Sequence, residues 1–99
     1  MYAILLHYHV PLERIDELKD EHLRHIDDQV EDGLFVLGGR LVPRTGGFIL
    51  ANTDDRERVT KALDSDPFMR SGSATYELHE FVPTKAGSGV QAELGITLP

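Results

Sequence analysis

From Tyr2 to Val10 the chain alternates two sets of side chains, Tyr2/Ile4/Leu6/Tyr8/Val10 and Ala3/Leu5/His7/His9, both largely apolar until the histidines. Alternation assigns each set to one face of a strand, and apolar character in both sets predicts a strand covered on both sides. The period then changes. Ile15, Leu18, His22, Ile26 and Val30 recur at spacings of three and four, flanked by Leu12 and Leu23, which places them on one face of a helix over about residues 11–32. Pro11 suits the first turn, Glu13, Asp16 and Glu17 suit the positive end of the helix dipole, and Gly33 suits the stop. His22 is therefore expected to point at the core.

Leu34-Phe35-Val36-Leu37 reads as a short strand, which Gly38-Gly39-Arg40 is expected to loosen or bulge. The turn formers Pro43-Arg44-Thr45-Gly46-Gly47 lead into Phe48-Ile49-Leu50-Ala51, so the two runs predict a hairpin. Asn52 to Asp55 offers caps for a second helix with Val59, Ala62 and Leu63 as its apolar face, ending near Asp64. Pro67 disfavours helical geometry at Asp66, whose carboxylate can cap the short turn that follows. A last strand spans Ala74 to Val82, ahead of Pro83. The order β-α-β-β-α-β predicts an α+β, ferredoxin-like fold: a four-stranded antiparallel sheet with two helices on one face. Residues 1–83 are expected to form this domain, and 84–99, with Gly87, Ser88 and Gly89, a tail that is flexible or packs on a partner subunit. Because β1 is apolar on both sides, the second sheet face is expected to meet another copy in a homodimer.

Composition narrows the partners. Seventeen acidic residues against ten basic ones leave a net charge of −7, which repels a polyanion, and no basic cluster offsets it, so no nucleic-acid partner is expected. No apolar run approaches the length of a membrane span, and the opening run is far shorter than a secretory signal and lacks its basic flank. No membrane partner is expected, and cytoplasm is the default location. The absence of cysteine removes disulfides, thiolate nucleophiles and cysteine-ligated metals. With no dinucleotide fingerprint and no serine nucleophile motif, proton transfer without a cofactor is the chemistry left in front.

His22 is the sharpest candidate for it, because an imidazole on an apolar stripe needs a hydrogen-bond partner, and a carboxylate would fix which ring nitrogen carries its proton. A satisfied core histidine fits the same position. Asp66 is explained by turn capping alone, although a carboxylate has acceptor sites enough to cap and to orient an imidazole at once, and Asp64 is a solvated rival for that role. His7 and His9 share a strand face and His22 and His25 a helix face, yet no carboxylate completes a recognised ligand motif, so no metal is expected. Arg44, between two turn formers, can hold a substrate carboxylate or phenolate at a pocket rim and can equally be a surface charge.

Taken in order, these residues resemble the YCII family, small ferredoxin-like proteins related to the dimeric α+β barrel group that includes muconolactone isomerase. The likeness covers about residues 2–83. It rests on Tyr2-Ala3-Ile4, Pro11-Leu12-Glu13, His22-Leu23 eleven residues ahead of Gly33, Gly39, Pro43-Arg44-Thr45-Gly46-Gly47, Asp66-Pro67-Phe68, Gly72, Tyr76-Glu77-Leu78, Phe81 and Pro83. The chain departs from the commoner pattern in carrying Gly39-Arg40 where a Gly-Pro pair is frequent, which the resemblance implies alters one pocket edge. What the resemblance implies is a dimer whose pockets are lined by a His and an Asp acting as an acid–base pair, at positions matching His22 and Asp66; the resemblance alone joins these two residues. One line of relatives resembles a dehydrochlorinase acting on chlorinated hydroxyhydroquinone. The expectation is thus a cofactor-independent lyase or isomerase for a small ring substrate, with His22 and Asp66 as catalytic residues and His7, His9 and Arg44 as substrate contacts. A non-catalytic domain that captures a small ligand or a partner is the alternative.

Overall fold

The computed structural model describes residues 1–99. Its elements run β1 (Tyr2–Tyr8), α1 (Leu12–Glu31), β2 (Phe35–Arg40), β3 (Gly46–Ala51), α2 (Arg56–Asp64), α3 (Pro67–Arg70), β4 (Ala74–Glu80) and α4 (Val90–Leu94). The strands form one antiparallel sheet in the order β2-β3-β1-β4, which is the split βαββαβ arrangement expected of a ferredoxin-like α+β fold. No helix is long and apolar enough to cross a membrane.

Alternation in β1 separates the two faces cleanly. Tyr2, Ile4 and Leu6 are buried under the helices, where they join Phe35, Ile49 and Ala51 from the neighbouring strands and Val59, Ala62 and Leu63 from α2. Ala3, Leu5 and His7 face the other way, beside Phe48 and Leu50 of β3, and that face has no layer over it within the chain. A second, smaller cluster of Ile15, Phe68 and Ala74 fastens α1 to α3 and β4.

Helix α1 begins one residue after Pro11, whose carbonyl accepts from Arg14 and Ile15, and it stops at Gly33, where φ of +81° favours the residue without a Cβ. The stripe is not uniformly covered: Ile15 is buried, while Leu23 and Val30 stay 45% and 46% exposed. His22 lies at the margin of the core rather than within it, with 13% of its side chain exposed. The strand irregularity also falls elsewhere than Gly38-Gly39-Arg40. Phe35 pairs with Ala51 and Leu37 with Leu50, so Val36 is the extra residue, and the two glycines continue the ladder opposite Ile49 and Phe48. One inserted residue reverses the alternation beyond it, so Gly38 and Arg40 share the helix-covered face with Phe35.

The hairpin loop between β2 and β3 is closed by Leu41 N–H to the Gly46 carbonyl (3.0 Å) and Thr45 N–H to the Pro43 carbonyl (2.8 Å). Asp55 caps α2 through the Arg58 amide, as its position ahead of the apolar face predicts. In the C-terminal stretch α4 is held by Asn52 Nδ2, which donates to the Leu94 carbonyl at 2.8 Å.

Close approach explains Gly46. A Cβ there would collide with the Leu6 carbonyl, a backbone atom that cannot move without breaking the β1–β3 ladder, whereas a Cβ on Gly39 would meet nothing within 4 Å. Gly46→Ala should therefore cost at least about 2 kcal/mol in urea unfolding, and Gly39→Ala should stay within about 1 kcal/mol of the parent. Equal midpoints for the two variants would contradict this packing.

Candidate active site

The run Asp66-Pro67-Phe68 organises the site from local chemistry. Pro67 supplies the first position of α3, and Asp66, extended at φ −68° and ψ 135°, caps that helix by accepting the Phe68 amide on Oδ1 at 2.8 Å. The Asp66 residue is only 1% exposed, so its second oxygen also needs a donor. His22 provides it, with Nδ1 2.7 Å from Asp66 Oδ2 across 44 residues of sequence.

Because an ionised carboxylate only accepts, this contact assigns the Nδ1 proton to His22 and leaves Nε2 with its lone pair in the neutral ring. The Phe68 ring lies flat against the imidazole, centroids 3.9 Å apart and planes within 10°, so the short run that holds the carboxylate also fixes the plane of the ring. His22 Nε2 has no partner in the protein. No buried side-chain nitrogen or oxygen is without a partner, so Nε2 is open to solvent, and the space His22 borders is a cleft of about 450 Å³.

That cleft lies between α1 and the sheet. Lys19, His22, Leu23 and Ile26 line it from α1 at one helical face, and Leu6, Ile49, Gly38 and Gly47 line it from the sheet. The hollow has a simple cause. Gly38 and Gly47 are positions that face the helix, and neither sends a side chain into the layer between helix and sheet. Apolar walls with a few convergent polar groups are the usual character of a small-molecule site.

Arg44 reaches the same cleft from the hairpin loop and pairs with Asp16 on α1. The hydrogen bond from Arg44 holds the Asp16 carboxyl below its ordinary value, against the opposing effect of burial. Thus the structure brings His22, Asp66 and Arg44 to one region. His7 and His9 are not brought there: His7 sits on the uncovered sheet face with Nε2 on Glu77, and the exposed His9 bonds to Thr75 Oγ1 at 2.6 Å, both directed by strand alternation away from α1. Asp64 accepts from the Tyr76 hydroxyl at 2.9 Å and His25 Nε2 contacts the Ala62 carbonyl at 2.7 Å, so neither joins the His22 pair. No three His, Asp or Glu side chains are grouped so as to hold a metal ion.

Sequence reading missed Lys19 and Phe68 as parts of this site, whereas Arg40 entered it only through the resemblance, at one pocket edge. Lys19 was within reach of it, three residues before His22 on the same helix face. Spacing alone does not give the side on which Arg40 lies, since that depends on the bulge at Val36.

A family model described as the YCII-related domain matches residues 1–82. Among solved structures, the chain is similar to 5-chloro-2-hydroxyhydroquinone dehydrochlorinase (TftG) from Burkholderia phenoliruptrix AC1100, solved in complex with 2,5-dihydroxybenzoquinone. The match has a TM-score of 0.68 and 16% identity, over 83% of this chain and 94% of that one. At that identity the likeness shows the fold. No curated protein matches the chain.

The Asp16–Arg44 pair allows a pH test. A carboxyl whose value is lowered in the folded state adds stability above its unfolded value and loses that contribution as pH falls through the lowered one. Arg44→Ala should return the Asp16 carboxyl titration, followed by carbon NMR, to the ordinary range and flatten the acid limb of the stability curve. An unchanged Asp16 titration would show that the pair does not persist in solution.

Proposed function

Because this chain belongs to the YCII-related family, we propose that it is a small-molecule enzyme in which His22, oriented by Asp66, moves a proton on a ring substrate. The observation that carries this reading is the geometry of one side chain: Nδ1 of His22 is held by a buried carboxylate and Nε2 opens on a cleft of about 450 Å³. An imidazole so held is a directed general base, and the proton it takes can be returned from the same nitrogen. Taken from a ring hydroxyl or ring C–H, the proton leaves an electron pair that shifts through the ring. Return of the proton at another ring atom gives isomerisation; where that atom is the chlorine-bearing carbon, it becomes tetrahedral, and loss of a second hydroxyl proton then expels chloride with the C–Cl pair, a net loss of HCl. Both outcomes balance without an oxidant or a cofactor, and the second is the type of reaction in the name of the structurally similar dehydrochlorinase.

We place a second copy of the chain on the uncovered sheet face. Ala3, Leu5, Phe48 and Leu50 lie there only half-buried and Leu37 is 55% exposed, so the face presents apolar surface from three adjacent strands. A twofold dimer covers both copies with one contact.

Asp66→Asn separates orientation from capping. Asn caps a helix as well as Asp does, but with its oxygen on the Phe68 amide its NH₂ faces His22 and demands a lone pair on Nδ1, which moves the ring proton to Nε2. His22→Ala should lower release of chloride or ring isomerisation, across chlorinated quinols and lactones, by about 10²-fold or more, and Asp66→Asn should lower it comparably while leaving the circular dichroism spectrum intact. A His22 imidazole that titrates identically by NMR in wild type and Asp66→Asn would sink the pair, and tight binding of a ring compound without turnover would favour a ligand-capture role. Light scattering should give a dimer mass for wild type and a monomer mass for Leu50→Glu; a wild-type monomer would refute the dimer.

A further inference from the structure

The charge lining the cleft is opposite to the charge of the chain. Seventeen of the 27 charged residues are acidic, yet no carboxylate borders the cleft, while Lys19, Arg40 and Arg44 all do. One of these cations is already neutralised, since Arg44 is paired with Asp16. Lys19 is near enough to Asp16 to help lower its carboxyl, but neither Lys19 nor Arg40 makes a salt bridge or a side-chain hydrogen bond.

We propose that the cleft recognises a ring compound bearing an anionic oxygen group, held by Arg40 together with Lys19 beside His22. The proposal rests on the reading of this cleft as the substrate site. Placement supports it from both walls. The bulge at Val36 turns Arg40 toward α1, and its cross-strand neighbour on the cleft side is Gly47, which has no side chain to obstruct a guanidinium. Lys19 is about one helical turn before His22, so its ammonium and the imidazole share a helix face. A planar fork of N–H donors on one wall and a flexible ammonium on the other suit a carboxylate or phenolate, and the apolar side chains of Leu6, Leu23 and Ile49 suit the ring that carries it. Two unpaired cations at this point also stabilise negative charge that develops on the ring as Nε2 takes a proton.

Binding of two probes with the same ring, 2,5-dihydroxybenzoate and 2,5-dihydroxybenzamide, measured calorimetrically on the full chain at low salt and near-neutral pH, isolates the charge. The benzoate should bind about tenfold more tightly than the amide. Arg40→Ala should bring the two affinities within about twofold by weakening the benzoate alone, Lys19→Ala should remove part of the preference, and Arg58→Ala, an exposed cation outside the cleft, should leave it intact. Unchanged melting temperatures guard against misfolding, because Arg40 and Lys19 are both exposed. The inference is overturned if neither probe binds, if both bind wild type equally, if the preference survives the Arg40→Ala/Lys19→Ala double variant, or if Arg58→Ala removes it as well. A preference that persists in His22→Ala, in a chain that turns over no ring compound, would overturn the catalytic reading and leave the anion site standing. Turnover of neutral quinols without any charge preference would do the reverse.

Discussion

Asp66 carries the constraint on which the rest of this molecule turns. A carboxylate that is 1% exposed must have its acceptor sites filled by donors, and the two donors come from parts of the chain that meet only in the folded state. One oxygen holds the Phe68 amide and starts α3; the other holds His22 and fixes α1 against it. The stacking of Phe68 on the imidazole and the small cluster of Ile15, Phe68 and Ala74 reinforce the same junction. Removing either donor leaves an uncompensated buried charge, so fold and candidate site share one interaction. That sharing also explains why capping and orienting are not competing accounts of Asp66: one group does both because it has two oxygens.

The cleft is made by what is missing from the layer between α1 and the sheet. Elsewhere the inward positions carry Tyr2, Ile4, Phe35 and Ile49, and the layer is filled. At Gly38 and Gly47 it is hollow, and the bulge at Val36 delivers Arg40 to the edge of that hollow instead of to the outer face. His22 Nε2, apolar walls and unpaired cations then converge on one space in a chain of net charge −7. The opposite face of the sheet shows a different economy, with half-buried aliphatic and aromatic side chains beside the His7–Glu77 pair.

Much of this was legible in the residues. Alternation in Tyr2–Val10, the three-and-four spacing of Ile15 to Val30, Gly33 as a stop, and Asp55 and Asp66 as caps all correspond to observed elements, because each depends on contacts within a few residues. Sequence reading went astray where the outcome depended on strand register. Gly38-Gly39-Arg40 is expected to loosen or bulge the strand, and the bulge lies at Val36; His22 points toward the core and stands at its edge. His7 and His9 resemble His22 in type, yet strand geometry sends them to the other side of the sheet.

By itself, then, the sequence determined the order and kind of the elements, the apolar strand that two layers can cover, and the local turn that makes Asp66 a cap. Periodicity and capping are short-range, and a single chain of side chains is enough to read them. The pairing of His22 with Asp66 was implied only by the resemblance, and the tertiary structure decided its geometry across 44 residues, that Nε2 opens on a cavity, and that Arg40 and Lys19 flank it. Those depend on register, on one inserted residue and on how α1 crosses the sheet, and a pairing between distant strands and helices is set by the packing of the whole, not by any local stretch of residues.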